Sequence, residues 1–191
     1  MARPSVAAER REQILDATMT TIAEHGIRGA TLDRIADTAG MSRGHVRHFV
    51  GNRDRLLLDT AVSVFSDAGG DVGSILPEDA HDIGAALDYL FGADFLSPDR
   101  ENAVVLGLVE LSRTKPEIAD VLTTSYSATR HHLAQLVARA HPDAPQLACL
   151  TVAYGLLTCA LGSVFLGDFD TDPGRIGYSR AAAEALLGTL G

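Results

Sequence analysis

The chain has 191 residues, of which 46% are apolar and 21% are charged. This apolar content is enough for a buried core and excludes a disordered protein. The net charge is −9, but residues 1–55 hold nine arginines and seven acidic residues, whereas residues 56–191 hold seven basic and eighteen acidic ones. The N-terminal segment is therefore mildly basic and the rest of the chain is acidic. This distribution indicates that an anionic partner binds at the N-terminal end.

The cysteines and the first residues point to a reducing, cytoplasmic location. The chain has two cysteines, Cys149 and Cys159, so a disulfide framework is excluded. If both lie in one helix, their positions are roughly 15 Å apart, too far for a bridge. The N-terminal residues lack the apolar run of a signal peptide.

Four helices are predicted in the first 70 residues, at about 8–25, 32–39, 43–49 and 53–70. Thr31, Ser42 and Asn52 precede three of these helices and are typical N-caps. Gly26 and Gly40 end the first and second helices. The second and third helices are joined by a short turn that contains Gly40, which is the pattern of a helix-turn-helix.

The third predicted helix has the side chains of a DNA-reading helix. It is too short for a core helix, and its inward side chains are Val46 and Phe49. Arginine can read guanine or bind phosphate, histidine can donate to either, and glycine permits close backbone approach. Free N–H groups at helix N-termini also bind phosphates. The predicted DNA-binding residues are Thr31, Ser42, Arg43, Gly44, His45, Arg47, His48 and Arg53.

The rest of the chain is also predicted to be helical, because no run alternates as a strand does. After a linker at 71–77, helices are predicted at about 80–96, 100–114, 116–141, 145–166 and 174–190. The predicted fold is therefore all-α. An N-terminal three-helix helix-turn-helix domain (8–52) is followed by a connecting helix (53–70) and a helical ligand-binding and dimerisation domain (71–191).

One predicted helix has the length and apolar composition of a membrane-spanning helix. Residues 147–166 carry no charge, which meets the length rule for a transmembrane helix. The flanking charges are Asp143 and Asp168, and no lysine or arginine lies close enough to orient the segment. A helix that is apolar all round can equally be buried in protein, and this interpretation is favoured over membrane insertion.

The same helix carries a stripe of small residues that suits a close helix pair. The stripe and matching positions of the last helix predict a symmetric four-helix dimer interface. The predicted dimer residues are Ala148, Gly155, Cys159, Gly162, Ala181 and Ala185. Packing within one chain is the alternative.

Residues 11–57 resemble the TetR family of bacterial transcriptional regulators. The matching residues are Ile14-Leu15, Glu24-His25-Gly26, Thr31-Leu32, Ile35-Ala36, Ala39-Gly40-Met41-Ser42-Arg43-Gly44, His48-Phe49, Asn52-Arg53-Asp54 and Leu56-Leu57. The resemblance implies a homodimer that binds a near-palindromic operator in double-stranded DNA and, as a repressor, is released by a small molecule. The chain departs from the family at Arg47, where Tyr is common, and at Arg53, where Lys is common.

The resemblance also implies an effector pocket among the C-terminal helices. The candidate ligand-binding residues are Tyr89, Phe95, Glu110, Tyr126, Arg130 and Tyr154. Some family members sense choline-like cations, which favour an aromatic cage. This chain has no Trp and only ten aromatic residues, so the predicted effector is a mostly apolar small organic molecule.

Three alternatives remain beside this interpretation. Gly40, Ser42 and Gly44 match the G-x-S-x-G pattern of a serine hydrolase, but that chemistry requires a strand before the turn. His45 and His48 lie three apart on a helix, but no third ligand is near, so neither a metal nor another cofactor is predicted. A regulator of the same fold that activates transcription, or that senses a partner protein, fits the sequence equally well.

Overall fold

The computed structural model describes residues 6–66, 70–96 and 100–191, and within them every regular element is helical. The all-α prediction is thereby confirmed. The helices are α1 Val6–Gly29, α2 Leu32–Thr38, α3 Arg43–Val50, α4 Arg53–Phe65, α5 Ile83–Leu90, α6 Ala93–Leu96, α7 Arg100–Ser112, α8 Pro116–Ala140, α9 Gln146–Leu166 and α10 Arg175–Gly188. The last four of these begin and end within two residues of their predicted bounds.

Two predicted helices are shorter than expected. The segment 80–96 is divided into α5 and α6, because the chain turns at Phe91 and Gly92. A Cβ at Gly92 would lie only 2.7 Å from the carbonyl oxygen of Asp88, so this tight turn requires glycine. The connecting helix predicted at 53–70 ends at Phe65, because the backbone of Ser66 is extended. Gly69, near its predicted end, lies outside the described residues.

The first of two compact units contains the described residues up to Asp71 together with residues 100–122. Helix α1 lies at its centre and packs against α2, α3, α4 and α7. The most deeply buried side chains come from several of these helices and include Ile14, Ile22, Ile35, Leu56, Leu57 and Leu108. Each such side chain contributes about 1.5–3 kcal/mol by leaving water. The helix-turn-helix segment therefore packs against a hydrophobic core.

Helix α7 belongs to this first unit. A Cβ at Gly107 would lie 3.1 Å from the Cβ of Ile27, so glycine allows α7 to approach α1 closely. Three ion pairs also join α7 and the residues around it to the N-terminal helices. They are Arg28–Glu110 at 3.0 Å, Arg100–Asp16 at 2.5 Å and Lys115–Asp54 at 2.5 Å. Because these charges are largely exposed, the packing contributes more to stability than the pairs do.

The second compact unit contains residues 72–96 and 123–191. Its core is formed by α5, α6, the later part of α8, and α9 with α10 packed against it. In the described part of the chain, α9 alone is long and apolar enough to cross a membrane. One face of α9, including Cys149, Val152 and Leu156, is buried within this unit. That burial fits a core helix of a folded protein.

Candidate nucleic-acid interface

The helix-turn-helix is defined by side-chain caps at its helix starts. The Thr31 hydroxyl accepts a hydrogen bond from the backbone N–H of Arg34 at 3.4 Å, and the Ser42 hydroxyl accepts one from that of His45 at 3.2 Å. The turn between α2 and α3 contains Gly40, whose φ of 64° favours glycine. These caps confirm the predicted helix starts and place α3 directly after a tight turn.

Helix α3 has one buried face and one exposed face. Val46 and Val50 are buried in the first unit, and Phe49 is half-buried. The ring of Phe49 lies 5.1 Å from that of His45 and 5.2 Å from that of His48. The exposed face carries the predicted DNA-binding residues Ser42, Arg43, Gly44, His45, Arg47 and His48. A short helix that presents arginine and histidine in this way suits the major groove of DNA.

The two arginines of this face differ in their surroundings. Arg43 forms an ion pair with Asp33 at 3.2 Å, and both side chains are 62% exposed. Such an exposed pair is weak, so a phosphate can replace the carboxylate. Arg47 has no side-chain hydrogen bond or ion pair with the other described residues. Its five N–H donors are therefore open to a base edge or a phosphate.

Two polar residues of α1 bind carbonyl groups near the C-terminal ends of α2 and α3. The Nε of Arg11 donates to the carbonyl oxygen of Phe49 at 3.2 Å, near the end of α3. The Nε2 of Gln13 donates to the carbonyl oxygen of Ala39 at 2.9 Å, at the end of α2. Sequence reasoning missed both roles, because nothing in the local pattern shows which distant carbonyl an exposed polar side chain will reach.

Arg53, also predicted to contact DNA, is turned toward the protein. Its Nε donates to the carbonyl oxygen of Ala30 at 2.7 Å, and its Nη2 donates to that of Ile27. Thr31 is exposed at the N-terminus of α2. Seven of the eight predicted residues are thus exposed, whereas Arg53 is partly buried.

Residues 14–59 match the family model described as bacterial regulatory proteins, tetR family. The N-terminal domain of this chain therefore belongs to the TetR family. The matched segment of this TetR-family domain begins at a core residue of α1 and ends within α4. It includes the whole helix-turn-helix.

Curated relatives match mainly in this TetR-family domain. The HTH-type transcriptional regulator BetI of Paraburkholderia phytofirmans is 45% identical over 58 residues, which is 30% of each chain. BetI of Agrobacterium fabrum is 29% identical over 117 residues, covering 59% of this chain and 57% of that relative. The chain thus spans less than two thirds of the length of these relatives.

Solved structures resemble nearly the whole chain in fold. A TetR transcription regulator from Haloarcula marismortui has a TM-score of 0.74 at 21% identity, covering 95% of this chain and 97% of its own. A transcriptional regulator from Saccharomonospora viridis, solved in complex with choline, has a TM-score of 0.74 at 16% identity, with 94% and 96% covered. This likeness extends the TetR-family fold to the C-terminal helices.

Five of the six residues predicted to bind an effector lie in the second unit, and one lies in the first. Arg130 and Tyr154 line a groove of about 470 Å³ together with His131, Leu150 and Thr151. The rings of Tyr89 and Phe95 lie 5.3 Å apart. Tyr126 is mostly buried in the second unit. Glu110 belongs to the first unit, where it pairs with Arg28. An effector role for these six residues stays a prediction.

The environment of Tyr126 gives a pH-dependent expectation. Burial raises the pKa of the Tyr126 phenol to about 12, from an ordinary value of 10.0. Because the folded pKa lies above the unfolded one, the stabilisation is complete below pH 10 and is lost as the pH rises toward 12. From pH 9 to pH 11, wild type should lose about 1 kcal/mol more unfolding free energy than Tyr126→Phe. Denaturant titrations at both pH values measure this difference.

The control for this experiment is Tyr178→Phe, because Tyr178 is 66% exposed. This variant should follow the wild-type pH dependence. Parallel losses of stability in wild type and Tyr126→Phe would contradict the assignment.

Helix α9, which carries four of the predicted dimer residues, also has an exposed apolar face. This α9 face contains Leu147, Tyr154 and Phe165, which are 75%, 59% and 55% exposed, together with the exposed Thr151 and Thr158. Large apolar side chains exposed on one helix face mark an interaction surface.

The small residues themselves have mixed surroundings. A Cβ at Gly155 would lie 2.8 Å from Cδ1 of Leu186, so Gly155 packs against α10 of its own chain. A Cβ at Gly162 would meet nothing within 4 Å. Ala148 and Cys159 are half-buried, whereas Ala181 and Ala185 are exposed on α10. Their role in a dimer stays a prediction.

Proposed function

We propose that the protein is a homodimeric, DNA-binding transcriptional repressor that a small organic effector releases from a near-palindromic operator. The observation that carries this proposal is the exposed α3 face of a TetR-family domain, with Arg47 open to DNA. The relatives that match this domain are HTH-type transcriptional regulators, which supports the proposal. In this proposal residues 8–52 read DNA in the cytoplasm, and residues 71–191 bind the effector and the second subunit.

The mechanism follows from the geometry of a two-fold dimer. Two α3 helices enter successive major-groove segments only at the spacing that the dimer sets. An effector that binds better to a dimer with another spacing therefore weakens DNA binding. DNA weakens effector binding by the same factor, because the coupling is reciprocal.

The deciding experiment is selection of duplex DNA from a random pool by the purified protein, at several salt concentrations. Enrichment of a near-palindromic sequence supports a dimeric operator-binding protein. If the effector-free protein binds DNA only weakly and in a salt-sensitive way, and no sequence is enriched, the proposed binding to an operator is contradicted. Release of the selected duplex by an added compound then tests the effector. Choline is one compound to include, because a structural neighbour was solved with it, although a mostly apolar molecule is the proposed class.

The sign of regulation is tested separately, with a reporter gene placed behind the selected sequence. Higher expression after deletion of the regulator supports a repressor, whereas lower expression supports an activator. If no small molecule releases the duplex but a cellular protein does, the alternative of a partner-sensing regulator is favoured.

The serine-hydrolase alternative is disfavoured by the surroundings of Ser42. Helix α2 precedes the turn, where a nucleophile elbow requires a strand. The Ser42 hydroxyl is engaged as the N-cap of α3. We therefore propose that the protein is not an enzyme and that Ser42 stabilises the DNA-reading helix.

Substitution of Ser42 separates the two roles. Ser42→Ala should lower the unfolding free energy by about 1 kcal/mol, because the α3 cap is lost, whereas Ser42→Thr keeps the cap and most of the stability. Denaturant unfolding measures this difference. Turnover of p-nitrophenyl acetate by wild type that disappears in both variants would contradict the capping role and favour the hydrolase.

A further inference from the structure

We infer that Arg53 is a positioning residue that closes the helix-turn-helix, and that it does not serve as a phosphate ligand. Its Nε donates to the carbonyl oxygen of Ala30 at 2.7 Å, and its Nη2 donates to that of Ile27. The inference rests on the proposed function, because it assigns Arg53 a part in reading DNA. At this position the chain has arginine where lysine is common in the TetR family.

The two bonds of Arg53 join the two ends of the reading motif. Ala30 directly precedes Thr31, the N-cap of α2, and Arg53 lies three residues after Val50, the last residue of α3. The Arg53 side chain therefore connects the start of the helix-turn-helix to its end. The α2–turn–α3 segment is held as a closed loop whose ends cannot separate while both bonds persist.

The bonded carbonyl groups need such a donor. They lie at the C-terminal end of α1, where helical carbonyls lack partners within the helix. Gly26, with φ of 69°, breaks the helical backbone just before them. Arg34 donates to the carbonyl oxygen of Gly29 at 3.1 Å, so the same turn receives a second guanidinium. Positive charge at a helix C-terminus is also favourable.

Helix α3 depends on such support, because its own packing is small. It has eight residues, and only Val46 and Val50 are buried. Gly51, whose φ is 76°, and Asn52 follow it, so the helix does not continue directly into α4. A change in its tilt would move the tip of Arg47 away from a base edge while leaving the hydrophobic core in place.

A guanidinium fork is required for this role, whereas a phosphate ligand needs only a charge. Arginine has planar donors that reach two acceptors at once, and lysine is a point charge on a flexible stem. Arg53→Lys therefore separates the two roles. Arg53→Met removes both the charge and the donors.

The experiment compares Arg53→Lys and Arg53→Met with matched changes at Arg55. Arg55 lies two residues further along α4, and its exposed side chain forms an ion pair with the half-buried Asp59 at 2.9 Å. Thermal unfolding is followed by circular dichroism. Binding is measured below the unfolding range, to the duplex that wild type enriches most strongly and to a scrambled duplex of equal length, at several salt concentrations.

Both Arg53 variants should lower the unfolding midpoint by about 5 °C, because two charge-assisted bonds to carbonyl groups are weakened or lost. Affinity for the selected duplex should fall by about tenfold or more, since misplaced base contacts lose specificity. Affinity for the scrambled duplex and the salt dependence of binding should be unchanged. The Arg55 variants should match wild type in both measurements.

Three results would overturn the inference. First, Arg53→Lys could behave like wild type, while Arg53→Met binds both duplexes more weakly and has a salt slope that is lower by about one per subunit. This combination would identify Arg53 as a phosphate ligand. A lowered midpoint with full affinity for the selected duplex would show a purely structural bond. If wild type enriches no duplex, the proposed function itself fails, and Arg53→Lys as stable as wild type would additionally exclude the closed loop.

Discussion

Substitution of Arg47 by alanine should abolish most of the sequence-specific binding of DNA without unfolding the protein. Arg47 lies on the exposed face of α3 and has no side-chain hydrogen bond or ion pair with other described residues. Loss of a bidentate base contact costs about 1–3 kcal/mol, which is about 5- to 150-fold in affinity for each subunit. Fluorescence anisotropy with the selected duplex measures this loss, and the unfolding midpoint should stay unchanged.

A second selection with Arg47→Ala shows whether the residue reads a base. If it does, the preference at one position of each half-site disappears while the rest of the sequence remains. Arg139→Ala is the control, because Arg139 is an exposed arginine of the second unit, in the last turn of α8. Unchanged affinity and an unchanged enriched sequence for Arg47→Ala would show that α3 does not read DNA through this residue.

The exposed α9 face gives the second large expected effect. Phe165→Glu should dissociate the dimer, with an increase of about 100-fold in the dimer dissociation constant. In a two-fold interface each substitution brings two like charges together and removes two aromatic contacts, which costs several kcal/mol. Phe165 is 55% exposed, so the change leaves the core of the second unit intact. Light scattering coupled to size-exclusion chromatography measures the change over a range of protein concentrations.

Val109→Glu is the matched control, since Val109 is a large apolar residue that is 41% exposed, on α7 of the first unit. It should remain dimeric and bind the selected duplex. Gly155→Trp is a poorer test, because Gly155 contacts Leu186 of its own chain and a large side chain there disrupts the fold. A Phe165→Glu protein that stays dimeric at micromolar concentration would place the interface elsewhere.

The helix-turn-helix was predictable because its information is local. Thr31 and Ser42 precede their helices as caps, Gly40 lies in the turn, and the inward residue Val46 is followed by exposed Arg47 and His48. Each of these choices depends on a few neighbouring residues, so pattern and propensity agree with the structure. The five C-terminal segments were also recognised as helical, because none of them alternates as a strand does.

Errors arose where the helical backbone ends within a strongly helical composition. The apolar content of residues 80–96 is that of one helix, but the chain turns at Gly92, where a Cβ would clash with the Asp88 carbonyl. The helix from Arg53 likewise ends at Phe65, before its predicted end at residue 70, because the backbone of Ser66 is extended. Composition does not distinguish a helix from two short helices joined by a turn.

The amino-acid sequence by itself determined the all-α class, the position of the reading helix and the residues on its exposed face. These follow from short-range periodicity and capping, which act over one or two helical turns. Only the tertiary structure decided that Arg53 and Arg11 bind backbone carbonyls, that α7 packs with the N-terminal helices, and that Gly155 faces α10. Those contacts join residues far apart in the chain, and a side chain's partner across such a distance depends on how the helices pack, which no local pattern specifies.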